Sequence, residues 1–155
     1  MSQPETPVTT PAIVALGTPV GEDTRAVVSA LTELLVADGR VGDADAFVES
    51  VMAREALAST ALPGGFAIPH ARTPAVAQLS VAVARLPRPV ALEADGPAVG
   101  VVLLIAAPDD DPQGYLAVLS QLAGACVKSS FRSAVRDAES PEELAALVSG
   151  ALGRR

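Results

Sequence analysis

The chain has 155 residues, the size of one domain, and 50% of them are hydrophobic while only 3% are aromatic. Eleven Lys and Arg residues against 18 Asp and Glu residues give a formal net charge of −7, and such a surface repels phosphate backbones and anionic lipid at long range. With three Phe, one Tyr and no Trp, the chain also has few side chains on which bases could stack, so the composition argues against nucleic-acid binding.

The chain contains a single cysteine, Cys126, and a single histidine, His70. One cysteine cannot form an internal disulfide, and a structural zinc site usually needs four Cys or His ligands. The acidic run over residues 109–111 lacks the glycine and the distal glutamate of an EF-hand calcium loop. Residues 1–10 have neither the basic nor the apolar region of a signal peptide, and the longest apolar run, residues 98–108, is about half the ~20 residues of a membrane-spanning helix. We therefore expect a cytoplasmic protein without a membrane-inserted segment.

The N-terminal part of the chain predicts an arm, a strand and two helices. Residues 1–11 are polar and rich in proline and have little to bury, so we expect a flexible arm before a domain over residues 12–155. The short apolar run over residues 12–16 predicts a strand. Apolar residues then recur at helical spacing over residues 22–38 and 43–58, which predicts two helices.

The remainder of the chain predicts further strands and then three helices. The predicted strands are residues 66–68, 79–86, 90–92 and 99–106. The last of these is nearly unbroken Val, Leu and Ile, which is typical of a strand covered on both faces. The predicted helices are residues 115–127, residues 131–138 and a final helix that begins after the N-cap Ser140, where Glu143 completes a capping box. Because helices and strands alternate, the predicted fold class is α/β, with a central sheet covered by helices.

The single histidine follows a short apolar strand. A glycine loop leads into residues 66–68, and Pro69 ends the strand, so we expect His70 at the margin of the sheet and not inside the core. Strand margins are where open α/β sheets bind ligands. A neutral imidazole is nucleophilic near pH 7 and can attack phosphorus and later release the phosphoryl group. Composition alone favours an ordinary surface or hydrogen-bonded histidine, so the neighbouring residues must decide between the two interpretations.

The neighbouring residues resemble a known family. Residues 54–60, Arg-Glu-Ala-Leu-Ala-Ser-Thr, and residues 65–70, Gly-Phe-Ala-Ile-Pro-His, look like the signature of the IIA domain of the phosphoenolpyruvate-dependent sugar phosphotransferase system. The type resembled is the fructose/mannitol type (type 2), which includes the nitrogen-regulatory IIA proteins. The separation of Arg54 and His70 matches this family, and the resemblance extends over about residues 12–148. It implies a single domain with a central mixed sheet flanked by helices on both faces.

The resemblance also implies a function for His70. This residue would accept a phosphoryl group on Nδ1 from the phosphocarrier protein HPr and pass it to a cysteine of a IIB domain, which phosphorylates a sugar during transport. Fructose is the sugar that the subtype suggests. Neither a cofactor nor a metal is needed for this chemistry. The chain ends at Arg155 without a IIB or IIC segment, so we expect its partners to be separate polypeptides, with docking to a membrane-bound IIB/IIC complex.

Two arginines are candidates for neutralising the transferred phosphoryl group. Arg54, near the end of its predicted helix, could aim a fork of donors at the phosphate. Arg72, two residues after His70, is a second candidate donor. Without the motif, a solvated helix residue or a partner for Glu55 is the ordinary explanation of Arg54.

Smaller polar groups are candidates for the surroundings of the imidazole. Thr60 and Ser59 could hydrogen-bond the ring or the phosphate, and the backbone of Gly65 could approach the site and supply amides. A polar pair that ends a helix and a plain tight turn are the structural alternatives, and the sequence leaves them open.

One position departs from the family pattern. Family members commonly have a second histidine at the start of the helix predicted over residues 115–127, and Tyr115 occupies this position here. A phenol donates one hydrogen bond but carries no positive charge near pH 7. Two alternatives therefore stay open: a regulatory module in which phosphorylation of His70 switches binding to a target protein, and a degenerate scaffold that transfers no phosphate.

Overall fold

A mixed six-stranded sheet lies at the centre of the molecule in the computed structural model, which describes residues 7–152. The strands are β1 (Val14–Leu16), β2 (Ala61–Leu62), β3 (Phe66–Ala67), β4 (His70–Arg72), β5 (Ser80–Ala91) and β6 (Ala98–Ala107). Strand β5 pairs in parallel with β1 and antiparallel with β6. Strands β3 and β4 both pair in parallel with β6, and β2 closes this edge by antiparallel pairing with β3. The α/β class with a mixed sheet is thus confirmed.

Four of the five α-helices in the described part of the chain begin at a polar residue that caps the first turn. The helices are α1 (Thr24–Ala37), α2 (Ala44–Leu57), α3 (Pro112–Cys126), α4 (Ser129–Asp137) and α5 (Pro141–Ala151), and a 3-10 turn covers Pro11–Ile13. The side chains of Asp23, Asp43, Asp111 and Ser140 each accept a hydrogen bond from a first-turn amide, and such a cap is worth about 1 kcal/mol. Helix α4 has no side-chain cap. Among residues 7–152, no helix is both long enough and apolar enough to span a bilayer.

Helices cover the sheet on both faces, as predicted, and β6 shows this most clearly. Val102 and Leu104 belong to the core cluster that α1 and α2 cover, whereas Leu103 and Ile105 belong to the cluster under α3 and α5. All four side chains are almost fully buried. Because successive side chains of a strand point to opposite faces, an unbroken apolar run is what a doubly covered strand requires.

Strand β5 is one continuous strand where the sequence predicted two. Its pairing with β6 shifts register between Arg85 and Val90. Pro87 and Pro89 lie in this stretch, and proline is tolerated at such an irregularity because no ladder hydrogen bond is required of its nitrogen. The prolines therefore coincide with a shift of register and do not end the strand.

The predicted N-terminal arm is held against the sheet over part of its length. Residues 1–6 lie outside the described residues. The Thr9 hydroxyl is buried and donates to the Val81 carbonyl at 3.0 Å, and the Val81 N–H donates to the Val8 carbonyl at 2.9 Å. The chain from Val8 onward thus pairs with β5, which differs from the loose arm expected up to residue 11.

Candidate functional site

His70 is the first residue of β4, opposite Ile105 of β6, on the sheet face that α3 covers. The side chain is only 4% exposed. The expectation of an imidazole at the margin of the sheet is therefore correct for its place in the strand, but the expectation that it lies outside the core is wrong. The reason is the position of α3, whose Tyr115 ring lies 5.8 Å from the His70 ring, centroid to centroid, and covers it.

One hydrogen bond fixes the orientation and the tautomer of the imidazole. His70 Nδ1 lies 2.6 Å from the carbonyl oxygen of Ile68. A carbonyl only accepts, so Nδ1 carries the hydrogen and donates it, and Nε2 of the neutral ring keeps the free lone pair. This geometry contradicts the expectation that Nδ1 carries phosphate. Nε2 is the nitrogen that is available as a nucleophile.

The environment keeps this imidazole neutral. Burial lowers the pKa of His70 below its usual value, and the positive charge of Arg54 lowers it further. The hydrogen bond to Ile68 and the negative charge of Glu55 act in the opposite direction but do not reverse the shift. The ring is therefore uncharged near pH 7, which is the form that can attack phosphorus.

Arg54 lies in the last turn of α2, close enough for its charge to act on this ring. Its Nη1 donates to the Ala58 carbonyl at 2.9 Å, just beyond the end of the helix. Its charge lowers the pKa of His70 and opposes a rise in the pKa of Tyr115, so the guanidinium acts on both rings. The structure thus brings Arg54 to His70, and its hydrogen bond goes to the backbone and not to Glu55.

A chain of hydrogen bonds joins α2 to the histidine through Thr60. The carboxylate of Glu55 is buried and accepts from the Thr60 hydroxyl at 2.6 Å and from the Thr60 N–H at 3.4 Å. The Thr60 carbonyl accepts from the Ile68 N–H at 3.2 Å, and the Ile68 carbonyl accepts from His70. Thr60 therefore holds the segment that orients the imidazole. Sequence reasoning gave Glu55 no role of its own, although its place directly beside the motif arginine was a usable signal.

Tyr115 and Arg72 complete the surroundings of His70. Burial raises the pKa of Tyr115, while the charges of Arg54 and Arg72 oppose the rise. The phenol therefore keeps its proton at neutral pH and can donate a hydrogen bond. Arg72 is exposed and donates from Nη1 to the Asp109 carbonyl at 2.5 Å, in the loop that leads into α3. Arg54 thus acts on the imidazole itself, and Arg72 acts on the phenol that packs against it.

Gly65 does not belong to this site, which corrects the sequence prediction. Its carbonyl accepts from the Gly100 N–H at 2.8 Å, whereas His70 is paired with Ile105, five positions further along β6. At about 3.3 Å per residue the separation is about 16 Å. Gly64 and Gly65 have φ of +97° and +86°, a conformation that favours glycine, so these residues allow the turn between β2 and β3. Ser59 caps this segment by accepting from the Ala61 N–H at 3.1 Å.

The other residues singled out from the sequence have structural roles. Cys126 is buried in the core, and burial raises the pKa of its thiol to about 11, so it is unreactive. Asp111 caps α3. Within residues 7–152 there is no cluster of three His, Cys, Asp or Glu side chains that could hold a metal ion.

The sequence matches an established family over most of its length. The model of the family "Phosphoenolpyruvate-dependent sugar phosphotransferase system, EIIA 2" matches residues 9–150. The "PTS system 2-O-alpha-mannosyl-D-glycerate-specific EIIABC component" of Escherichia coli (strain K12) is 37% identical over 120 residues, which are 76% of this chain and 18% of that protein. The "PTS system fructose-specific EIIA component" of Haloferax volcanii is 34% identical over 114 residues, which are 72% of this chain and 73% of that protein.

The fold is also similar to that of a solved structure. The crystal structure of nitrogen regulatory protein IIA-Ntr from Neisseria meningitidis superposes with a TM-score of 0.79 at 31% sequence identity, and the match covers 91% of this chain and 96% of that one. The chain spans less than a fifth of the Escherichia coli relative, so that comparison concerns one part of a larger protein. Sequence and fold agree from the first strand to the last helix. The chain belongs to the type 2 EIIA family of the phosphoenolpyruvate-dependent sugar phosphotransferase system.

Proposed function

We propose that this domain is a phosphohistidine carrier in which His70 accepts a phosphoryl group from HPr on Nε2 and passes it to a IIB domain. The observation that carries the proposal is the fixed, neutral imidazole, whose Nδ1–H is held by Ile68 and whose Nε2 has a free lone pair. Membership of the EIIA family supports the direction of transfer.

The bonds and charges of this transfer can be followed through the groups at the site. The Nε2 lone pair forms the new N–P bond, and the bond between phosphorus and the donor imidazole breaks with its electron pair. His70 keeps its Nδ1–H and becomes cationic, and the Ile68 carbonyl and the Glu55 charge stabilise that cation. The return step reverses this sequence, with a thiolate of the IIB domain as the nucleophile.

Arg54 and Arg72 would neutralise the charge of the incoming phosphoryl group. Phosphoryl transfer depends on positioning and charge neutralisation more than on covalent chemistry by the protein. Both guanidinium groups act on Tyr115, the ring that packs against His70, which supports a role for both in neutralising a phosphate there. Tyr115 would donate one hydrogen bond to the phosphate, and Thr60 would act through the backbone segment that it holds.

We propose uptake of a sugar, with fructose as the first candidate, as the process that this relay serves. The support is the fructose-specific EIIA component of Haloferax volcanii, of which this chain covers 73%. The Escherichia coli relative is named for mannosylglycerate, so a panel of IIB domains is the appropriate test. A cytoplasmic location stays a prediction from the sequence.

A regulatory role is the second candidate. It is favoured by the likeness to a structure named as a nitrogen regulatory protein and by Tyr115 at the position of the usual second histidine. In this alternative, phosphorylation of His70 switches binding to a target protein, and no IIB domain removes the phosphate.

Intact-mass spectrometry after incubation with phosphoenolpyruvate, enzyme I and HPr tests both candidates. We expect the gain of one acid-labile phosphate, its absence in His70→Gln, and an unchanged gain in the control Arg25→Gln, whose side chain pairs with Glu49 on the surface. A wild-type protein that stays unphosphorylated would refute the carrier and the switch together. Rapid loss of the phosphate to a IIB domain supports the relay, whereas persistence with every IIB domain supports the switch.

A further inference from the structure

A second groove, lined by arginines and apolar residues, lies at the opposite end of β3 from His70. It has a volume of about 600 Å³, and its walls include Gly64, Gly65, Arg85, Arg88, Gly100 and Arg136. The register along β6 places it about 16 Å from the imidazole, so it is separate from the phosphotransfer site.

Backbone carbonyls hold two of the groove arginines in place. Arg85 donates from Nη1 to the carbonyls of Val135, Arg136 and Ala138 at 2.9, 2.9 and 2.6 Å, at the end of α4. Arg136 donates to the Gly64 carbonyl, and its guanidinium carbon lies 5.8 Å from the centre of the Phe66 ring. Carbonyl acceptors fix a guanidinium without cancelling its charge.

The positive charge of the groove is left largely uncompensated. Among residues 7–152, the only ion pair of a groove arginine joins Arg88 to Glu22 at 3.7 Å, and these side chains are 76% and 78% exposed. Such a surface pair contributes little. Arg132 lies beside the turn, because a Cβ on Gly64 would lie 2.7 Å from its Cδ, but its Nη1 donates to the Cys126 carbonyl at 2.8 Å. Three of the 11 Lys and Arg residues thus line the groove in a chain of net charge −7.

Glycines and apolar side chains form the rest of the groove lining. Gly65 adopts a positive φ of +86°, and a Cβ on Gly100 would lie 3.6 Å from the Pro89 ring, so glycine at both positions adds no bulk to the groove. The apolar lining residues are Leu86, Pro87, Pro89, Ala98 and Val101. The volume lies in the range of small-molecule sites, about 300–1,000 Å³.

We propose that this groove binds a small phosphorylated anion, such as a sugar monophosphate. Guanidinium groups match phosphate oxygens in a bidentate geometry, and two of them are already held in place. The net charge of −7 repels an acidic protein or a nucleic acid at long range, whereas a small dianion responds mainly to the local arginines. The proposal does not depend on phosphotransfer by His70.

Amide NMR on the full chain tests the groove with inorganic phosphate, glucose 6-phosphate and glucose as probes. We expect saturable shifts of the Gly64, Gly65 and Gly100 amides with both phosphates and none with glucose. Tighter binding of glucose 6-phosphate would identify a sugar phosphate as the ligand, and equal binding would identify free phosphate. Shifts confined to His70 and Arg72, or reproduced by sodium chloride at equal ionic strength, would overturn the proposal.

Two variants complete the test. Arg88→Gln removes an exposed guanidinium that the fold does not need, and Arg136→Gln removes one that also holds the Gly64 turn. Each should weaken phosphate binding about tenfold, the effect of losing one charge-assisted hydrogen bond. Arg25→Gln, an exposed arginine outside the groove, should bind as the wild type does. Unchanged affinity in Arg88→Gln, whose folding is not in question, would count against the groove.

Discussion

At the scale of single residues, the site depends on which ring nitrogen of His70 is free. The carbonyl of Ile68 takes the hydrogen of Nδ1, and burial with the nearby Arg54 lowers the pKa of the ring. Both effects favour the same species, a neutral imidazole with its lone pair on Nε2. Tautomer and protonation state are thus set before any partner arrives, which is preorganisation for attack on phosphorus.

Replacing Arg54 by glutamine should slow phosphorylation and also raise the pKa of His70. The rate should fall about 10-fold to 100-fold, because a charge-assisted hydrogen bond to the phosphoryl group is lost. The pKa should rise, because the guanidinium charge lowers it in the wild type. Quench-flow phosphorylation from HPr measures the first effect and the NMR titration of the ring measures the second. A normal rate with a raised pKa would show that Arg54 acts on the ring but not on the phosphate.

Tyr115→Phe separates the phenol hydroxyl from the ring that covers His70. Phenylalanine keeps the packing at 5.8 Å, so the thermal stability should hardly change. If the hydroxyl donates to the phosphate, phosphorylation should slow about threefold to tenfold, the value of one neutral hydrogen bond. Equal phosphorylation rates for Tyr115→Phe and the wild type would show that the hydroxyl takes no part in the transfer and that Tyr115 only packs against His70.

At the scale of elements, the histidine is oriented by the junction between α2 and the β3–β4 segment. Helix α2 supplies Arg54 and Glu55 from its last turn, and Thr60 carries the connection from Glu55 to the backbone of Ile68. Ile68 and Pro69 separate the two short strands, but the chain keeps the same direction and register along β6, so His70 starts β4. The site is therefore a property of how these elements join.

Glu55→Gln tests this junction with little change of shape. Glutamine can still accept from the Thr60 hydroxyl, but the negative charge that raises the pKa of His70 is gone. We expect a lower pKa of His70 than in the wild type, and slower phosphorylation because the cationic phosphohistidine loses a stabilising charge. Glu49→Gln, in the same helix but exposed and paired with Arg25, is the matched control. An unchanged pKa in Glu55→Gln would show that the carboxylate does not act on the ring.

The sequence predicts helices better than short strands for a physical reason. In α5 the Ser140 hydroxyl accepts from the Glu143 N–H as predicted. The Glu143 carboxylate accepts from the Glu139 N–H, one residue before the N-cap amide of a capping box. Strands of two or three residues, such as β2 and β4, carry too few residues for a period to appear. For the site, the motif predicts that Arg54 and His70 lie together. Gly65 and the Nδ1 assignment were wrong, because strand register and one backbone carbonyl decide them.

At the scale of the whole molecule, arginines gather in two separate places. Arg54 and Arg72 lie beside His70, and the arginines of the second groove lie about 16 Å away at the other end of β3. The rest of the surface carries the excess that makes the net charge −7. Anionic groups would therefore be drawn to these two places and repelled elsewhere.

The buried imidazole also links the stability of the whole domain to pH. Because the pKa of His70 is lower in the folded state than in the unfolded chain, the unfolded chain binds more protons between these two values. His70 should therefore make its full contribution to the free energy of unfolding above about pH 6.5, its pKa in the unfolded chain. This contribution should be lost as the pH falls toward the lower pKa of His70 in the folded state. The loss cannot exceed about 1.4 kcal/mol per pH unit from one group.

Urea unfolding of the wild type and of His70→Gln at pH 7.5 and pH 5.5 isolates this contribution. Carboxylates that titrate in the same window are common to both proteins and cancel in the difference. The wild type should lose more stability than His70→Gln on acidification, since only in the wild type can the unfolded chain bind a proton at position 70 that the buried ring binds less readily. Equal losses in the two proteins would mean that His70 has the same pKa folded and unfolded, and the neutral nucleophile would then have no structural basis.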